Sequence, residues 1–307
     1  MLSLILAEKI ASLFLVMAMG FAIAKSGVVN SKNIVSLSLV SLYVINPCMI
    51  ITAFQVDLTP EVESGFFLAL VAGFILQIVF IVLIAVLGRA FHFNAVEKTA
   101  IVYSNAGNLI IPLVVATLGS DWVIYCTAWL IFQTFLLWSH GRSVLEGKRG
   151  IDWRRILLSI NMIAVYIGIV LFFTGLRLPG PIYDGVKMVG DMIGPVAMLI
   201  TGIIMGGLDF KQALSYKRLP LVVFFRLVVL PLVAVAFLKF SGIAAFSPNG
   251  TSVLLVTLLA ASSPSASTIN QMAQIYDCDA QYASSINVMT TLFCIATMPL
   301  VVMLYQL

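Results

Sequence analysis

The sequence predicts an all-α membrane protein of ten transmembrane helices, arranged as two inverted five-helix repeats. Three observations carry this reading. Hydrophobic residues make up 61% of the 307 and charged residues only 10%, with a mean hydropathy of +1.10, whereas a soluble domain carries about 25% charge. Apolar runs long enough to span a bilayer recur along the whole chain. The basic residues gather in alternate loops.

A helix needs about 20 apolar residues to cross the hydrocarbon core. Runs of this kind fall at 2–24, 33–54, 64–88, 96–118, 122–139, 156–175, 186–208, 219–240, 251–276 and 280–305. The first ends in Ala22-Ile23-Ala24 but lacks an early Lys or Arg and is interrupted by Glu8 and Lys9, so it reads as a helix and not as a cleaved signal segment. The breaks carry turn and charge signals: Lys25-Ser26-Gly27, Asp57 to Glu63, Arg89 to Glu97, and Ser120-Asp121. Lipid offers the backbone no hydrogen-bond partner, so each span must satisfy itself as a helix. A barrel would show short alternating segments, and these runs are continuous.

Twelve Lys and Arg residues lie in loops that follow odd-numbered helices and four on the other side, with Arg226 inside a span. The positive-inside rule then places the odd loops in the cytoplasm and both termini outside. The formal charge of +4 is thereby matched to anionic lipid headgroups, and no nucleic-acid partner is implied. Residues 142–155 are the most charged stretch and read as a cytoplasmic linker between a first repeat, 1–141, and a second, 156–307.

Five helices per half is an odd number, so the second half enters the membrane upside down relative to the first, as in inverted-repeat transporters. Local echoes support the pairing. Ile45-Asn46-Pro47 in helix two matches Ile193-Gly194-Pro195 in helix seven, and Gly119-Ser120-Asp121 after helix four matches Asp277-Cys278-Asp279 after helix nine. Helices four and nine carry the polar chemistry. The first reads from Ser104-Asn105 through Gly107-Asn108 to Pro112, and the second from Ser262-Ser263-Pro264-Ser265 to Asn270-Gln271. Such composition is costly in lipid unless the backbone is interrupted and lines a cavity. A broken helix offers free N–H groups and about half a positive charge at a half-helix N-terminus, which suits an anion. The candidate substrate-binding residues are therefore Asn105, Gly107, Asn108, Pro112, Ser263, Pro264, Ser265 and Asn270.

Ionisable residues inside spans are expensive and mark candidate function. Asp191 is placed one turn before Pro195 and Arg226 within helix eight, as a coupling group and an ion-pairing or substrate partner, respectively. The bland alternatives are a structural Asp191 and an Arg226 that snorkels to the headgroups. Cys48, Cys126, Cys278 and Cys294 form no C-x-x-C pair and read as apolar filling. His92 and His140 are too isolated for a metal site. Motifs of metalloproteases, serine hydrolases and P-loop proteins are absent, so neither an enzyme nor a cofactor is expected.

With these residues in view, the chain resembles the auxin efflux carrier family, which includes PIN-type plant auxin exporters and bacterial permeases for malate and malonate. The resemblance rests on the run Gly20 to Pro47, on Asn105 seven residues before Pro112, on Pro195-Val196-Ala197-Met198-Leu199 followed by Gly202, and on Pro264, Ala266, Ala273 and Tyr276. The family pattern usually has Gly where Ile110 stands, and Asn108 and Asn270 are more polar than its usual residues.

The resemblance implies ten helices, with helices four and nine crossing at broken midpoints, similar to NhaA and the bile-acid symporters. It also implies a small organic anion, a mono- or dicarboxylate, held at that crossing near Asn105, Pro112 and Pro264. Elevator-type motion, a homodimer and a bacterial inner-membrane location follow from it as well, while coupling to H+ or Na+ is left open. The rival expectation is a membrane receptor that binds a small carboxylate without moving it.

Overall fold

The computed structural model describes residues 2–29, 34–147, 154 and 157–307. All regular elements among these residues are helical, and the lone β-bridge joins Ser104 to Ser265. Among the described residues six helices are long and apolar enough to cross a membrane: Ser36–Ala53, Pro60–Ala90, Ser120–Glu146, Gly180–Gly207, Leu219–Phe240 and Ala280–Gln306. They fall on expected spans two, three, five, seven, eight and ten. Shorter apolar helices, including Ala106–Thr117, Ile160–Thr174 and Gly250–Ser262, fall on spans four, six and nine, and Leu2–Lys25 forms a 24-residue helix on span one. The chain is an all-helical integral membrane protein.

The ends of these helices follow from local chemistry. Thr59 accepts a hydrogen bond from the Val62 N–H, Pro60 opens the first turn, and Glu61 and Glu63 face the positive end of the 31-residue helix Pro60–Ala90. Asn94 and Glu97 form a reciprocal capping box at the start of Ala95–Val102. Gly175 ends Ile160–Thr174 in the left-handed region at φ 68°.

Two details differ from the spans expected. The fifth helix runs on to Glu146, closed by an Arg142–Glu146 pair at 2.9 Å and ended by Gly147 at φ 68°. The beginning of the expected 142–155 linker is thus helical. Much of the rest of the linker, 148–153 with Arg155, lies outside the described residues, as do Lys32, the first residue of expected span two and that of span six. In the seventh span the interruption falls at Asp191-Met192, between Gly180–Gly190 and Ile193–Gly207. It precedes Pro195, because a proline is tolerated in the first turn of a helix.

Small residues bring backbones together where the hydrophobic effect cannot drive association. Leu2–Lys25 lies along Ile193–Gly207, and a Cβ at Gly202 would strike the backbone carbonyl of Met17, as one at Gly20 would strike that of Leu199. Asn46–Ala53 packs against Ile160–Thr174 and Gly180–Gly190, with Gly168 under the Phe54 ring. A second group is built on Pro60–Ala90, which lies against Val123–Leu136 and Gly250–Ser262, with Leu230–Phe240 beside the latter. The polar breaks sit in this second group.

Candidate functional site at the junction of two interrupted helices

Helix Ala95–Val102 stops at an extended Tyr103, and the chain resumes as a π-turn over Ala106–Ile110 and then helix Ile111–Thr117. Helix Gly250–Ser262 stops at an extended Ser263 and resumes as Ser267–Ile275. The cause of the second break is Pro264, which pushes the residue before it out of the helical region and supplies no N–H. The carbonyl thereby released, that of Ala260, accepts the Ser263 hydroxyl at 3.2 Å. In the first break Tyr103, Ser104 and Asn105 leave the helix together.

The two breaks pair with each other. Asn105 N–H donates to the Pro264 carbonyl at 2.8 Å and Ala266 N–H to the Tyr103 carbonyl at 3.0 Å, which closes the antiparallel bridge between Ser104 and Ser265. The outward-facing backbone groups of each serine are satisfied by side chains. Gln133 accepts from Ser104 N–H at 3.2 Å and donates to its carbonyl at 2.8 Å. Thr290 accepts from Ser265 N–H at 3.1 Å, and Asn287 donates to its carbonyl at 2.6 Å. The Trp129 indole N–H adds contacts to Ser104 Oγ at 3.1 Å and Gln133 Oε1 at 2.9 Å.

Arg226 stands behind the bridge and is 0% exposed, so it does not reach the headgroups. A π-turn over Phe225–Val229 presents it. Its guanidinium donates to the carbonyls of Ile101, Val102, Ala261 and Ser263, the ends of both first half-helices.

On the other side of the bridge lie the first turns of the second half-helices, where Leu109 N–H donates to the Asn105 carbonyl at 3.2 Å and Ile269 N–H to that of Ala266 at 3.1 Å, while the earliest N–H groups of each turn lie beyond the reach of the helix ladder. Asn108 Nδ2 donates to Ser267 Oγ at 3.2 Å and joins the two turns. Gly107 and Asn108 are half-buried, whereas Asn105 and Asn270 are buried. The side-chain amide of Asn105 makes no hydrogen bond among the described residues, and the buried Oδ1 of Asn270 has no partner. Pro112 lies farther along, where Gly194 leaves room for its ring.

The candidate residues thus divide. Asn105, Gly107, Asn108, Ser263, Pro264 and Ser265 gather at the bridge and the turns beside it, and Pro112 abuts the seventh span. Asp191 stands apart, in an exposed turn where it pairs with Lys187 at 2.9 Å and not with Arg226. Sequence reasoning passed over Gln133, Asn287, Thr290 and Trp129. Their signal was present: polar side chains inside apolar runs must find partners there.

Buried polar groups here converge on two interrupted helices, an arrangement that recurs at the binding sites of secondary transporters. A family model described as membrane transport protein matches residues 5–151 and 148–302. The chain belongs to that family and is a membrane transporter. The comparison with curated proteins finds no match.

Proposed function

We propose that this transporter is a secondary carrier of small organic anions, mono- or dicarboxylates, built as ten spans in two inverted repeats. The observation that carries this reading is the polar junction. Two half-helix first turns stand side by side, joined by Asn108 and Ser267, with the unpaired amide of Asn105 next to them. First-turn N–H groups and an amide donor suit a carboxylate and need no cationic side chain in contact with it. Helix grouping supports elevator-type movement, since the two breaks belong to helices that pack on Pro60–Ala90 and Val123–Leu136, while Leu2–Lys25 and Ile193–Gly207 lie along each other and meet this group at Ala106–Thr117. Sliding one group along the other would carry the site between the two faces.

The test is uptake of radiolabelled malonate, malate and acetate by proteoliposomes. Saturable uptake of at least one is expected, and Asn105→Ala lowers it about tenfold or more, since one hydrogen bond to a charged partner is worth about 1.5–3 kcal/mol. Normal uptake by that variant would remove Asn105 from the site. Binding without uptake would favour the non-transporting receptor.

A further inference from the structure

We propose that Arg226 is the resident cation of this junction, a positioning residue whose fixed charge offsets the negative ends of both first half-helices. Its five N–H donors are all spent on backbone carbonyls: Nε on Ser263, Nη1 on Ile101 and Val102, Nη2 on Ala261 and Ser263. No carboxylate lies within ion-pairing distance of it among the described residues. A fully buried guanidinium without an acidic partner is expensive, and here the compensating charge is the backbone itself. Each helix C-terminus carries roughly half a negative charge. Two such ends, Ala95–Val102 and Gly250–Ser262, converge on one guanidinium, so their sum is about one unit against its one.

The neighbouring backbone carbonyls of the junction are closed to a metal ion in the same way. The carbonyls of Tyr103 and Pro264 accept from Ala266 and Asn105 N–H groups, and those of Ser104 and Ser265 from Gln133 and Asn287 amides. Together with the four held by Arg226, every backbone carbonyl from Ile101 to Ser104 and from Ser263 to Ser265 already accepts from an N–H donor. A metal cation needs several oxygens free to turn toward it, and these are occupied by donors that would repel it. With the C-termini neutralised by a fixed charge, the first turns of the second half-helices are left with an uncompensated positive potential. An anion therefore binds without a companion ion. This last step rests on the anion-carrier reading; the electrostatic role of Arg226 does not.

The experiment compares purified wild-type protein in sodium chloride with equimolar choline chloride, reading the thermal unfolding midpoint and the half-saturating concentration for malonate, malate and acetate uptake in proteoliposomes. Both stay unchanged, the latter within about twofold, whereas coupled ligands typically alter each other's affinity by roughly 5–150-fold. Arg226→Lys, which keeps the charge, melts above Arg226→Ala. Guanidinium ion raises the midpoint of Arg226→Ala at concentrations that leave the wild type unchanged or lower it. A sodium-dependent midpoint or uptake in the wild type, equal midpoints for the two variants, or no guanidinium rescue would each overturn the proposal. Should none of the three carboxylates be transported, the midpoints still decide it, which separates its failure from that of the carrier reading. Should neither variant fold, the wild-type salt exchange decides alone.

Discussion

Gln133 holds the backbone of Ser104 on both its polar groups, with Oε1 accepting the N–H and Nε2 donating to the carbonyl. A single bridge between two broken helices is too short to satisfy its own outer edges. Gln133 supplies one missing edge, and Asn287 with Thr290 supplies the other. The junction is in effect a fragment of sheet whose flanking strands are side chains, and this fixes two free helix termini in one place inside the bilayer.

Replacing that edge tests the view directly. Gln133→Leu orphans the Ser104 N–H and carbonyl, and each buried orphan costs about 1–3 kcal/mol. The variant is expected to lose at least about 2 kcal/mol in reversible unfolding in mixed micelles, with transport falling alongside stability. An unchanged unfolding curve would mean that the bridge does not depend on Gln133.

Asn270 predicts the opposite separation. Its buried Oδ1 has no partner, so an apolar residue of similar size removes an unsatisfied acceptor. Asn270→Leu is expected to unfold at an equal or higher temperature while uptake falls. Loss of both together would show Asn270 to be structural.

The close contact of the first and seventh spans offers a steric test. A Cβ at Gly202 meets the backbone of Met17, which cannot move aside as a side chain could. Gly202→Val is expected to cost about 1–3 kcal/mol, the usual range for overpacking, read as a lower thermal midpoint in detergent.

The odd-loop face holds a buried carboxylate whose removal has a bounded cost. Glu97 is 0% exposed and accepts from Arg218 Nε at 2.8 Å, Tyr282 Oη at 3.0 Å and Asn94 N–H at 2.8 Å. Arg218 remains half-exposed and can turn to water, which discounts the ion pair. Glu97→Ala is therefore expected to destabilise by about 1–3 kcal/mol, chiefly through the orphaned Tyr282 and Asn94 donors. Tyr282→Phe should cost less than half of that, by the same unfolding measurement.

Much of this was legible in the chain. Pro264 announces its break because a proline constrains the residue before it whatever surrounds it, and Asn94-x-x-Glu97 announces a helix start for equally local reasons. Asn105, Asn108 and Asn270 stood out as polar groups with no business in lipid unless they met something polar. Asp191 shows the limit of that logic. Its position one turn before Pro195 suggested a coupling group within the span, whereas the helix is interrupted at Asp191 itself and its carboxylate pairs with Lys187.

The sequence by itself determined that the chain is helical, that it lies in a membrane, and where two of its helices lose their regular backbone, because composition and local sterics suffice for all three. Only the tertiary structure decided what those breaks touch. Pairing Ser104 with Ser265, clasping each with Gln133 or Asn287, and setting Arg226 against the carbonyls of both half-helices join residues from separate helices, 22 positions apart for Asn287 and Ser265 and 125 for Arg226 and Ile101, and no local pattern encodes which distant partner a buried donor finds.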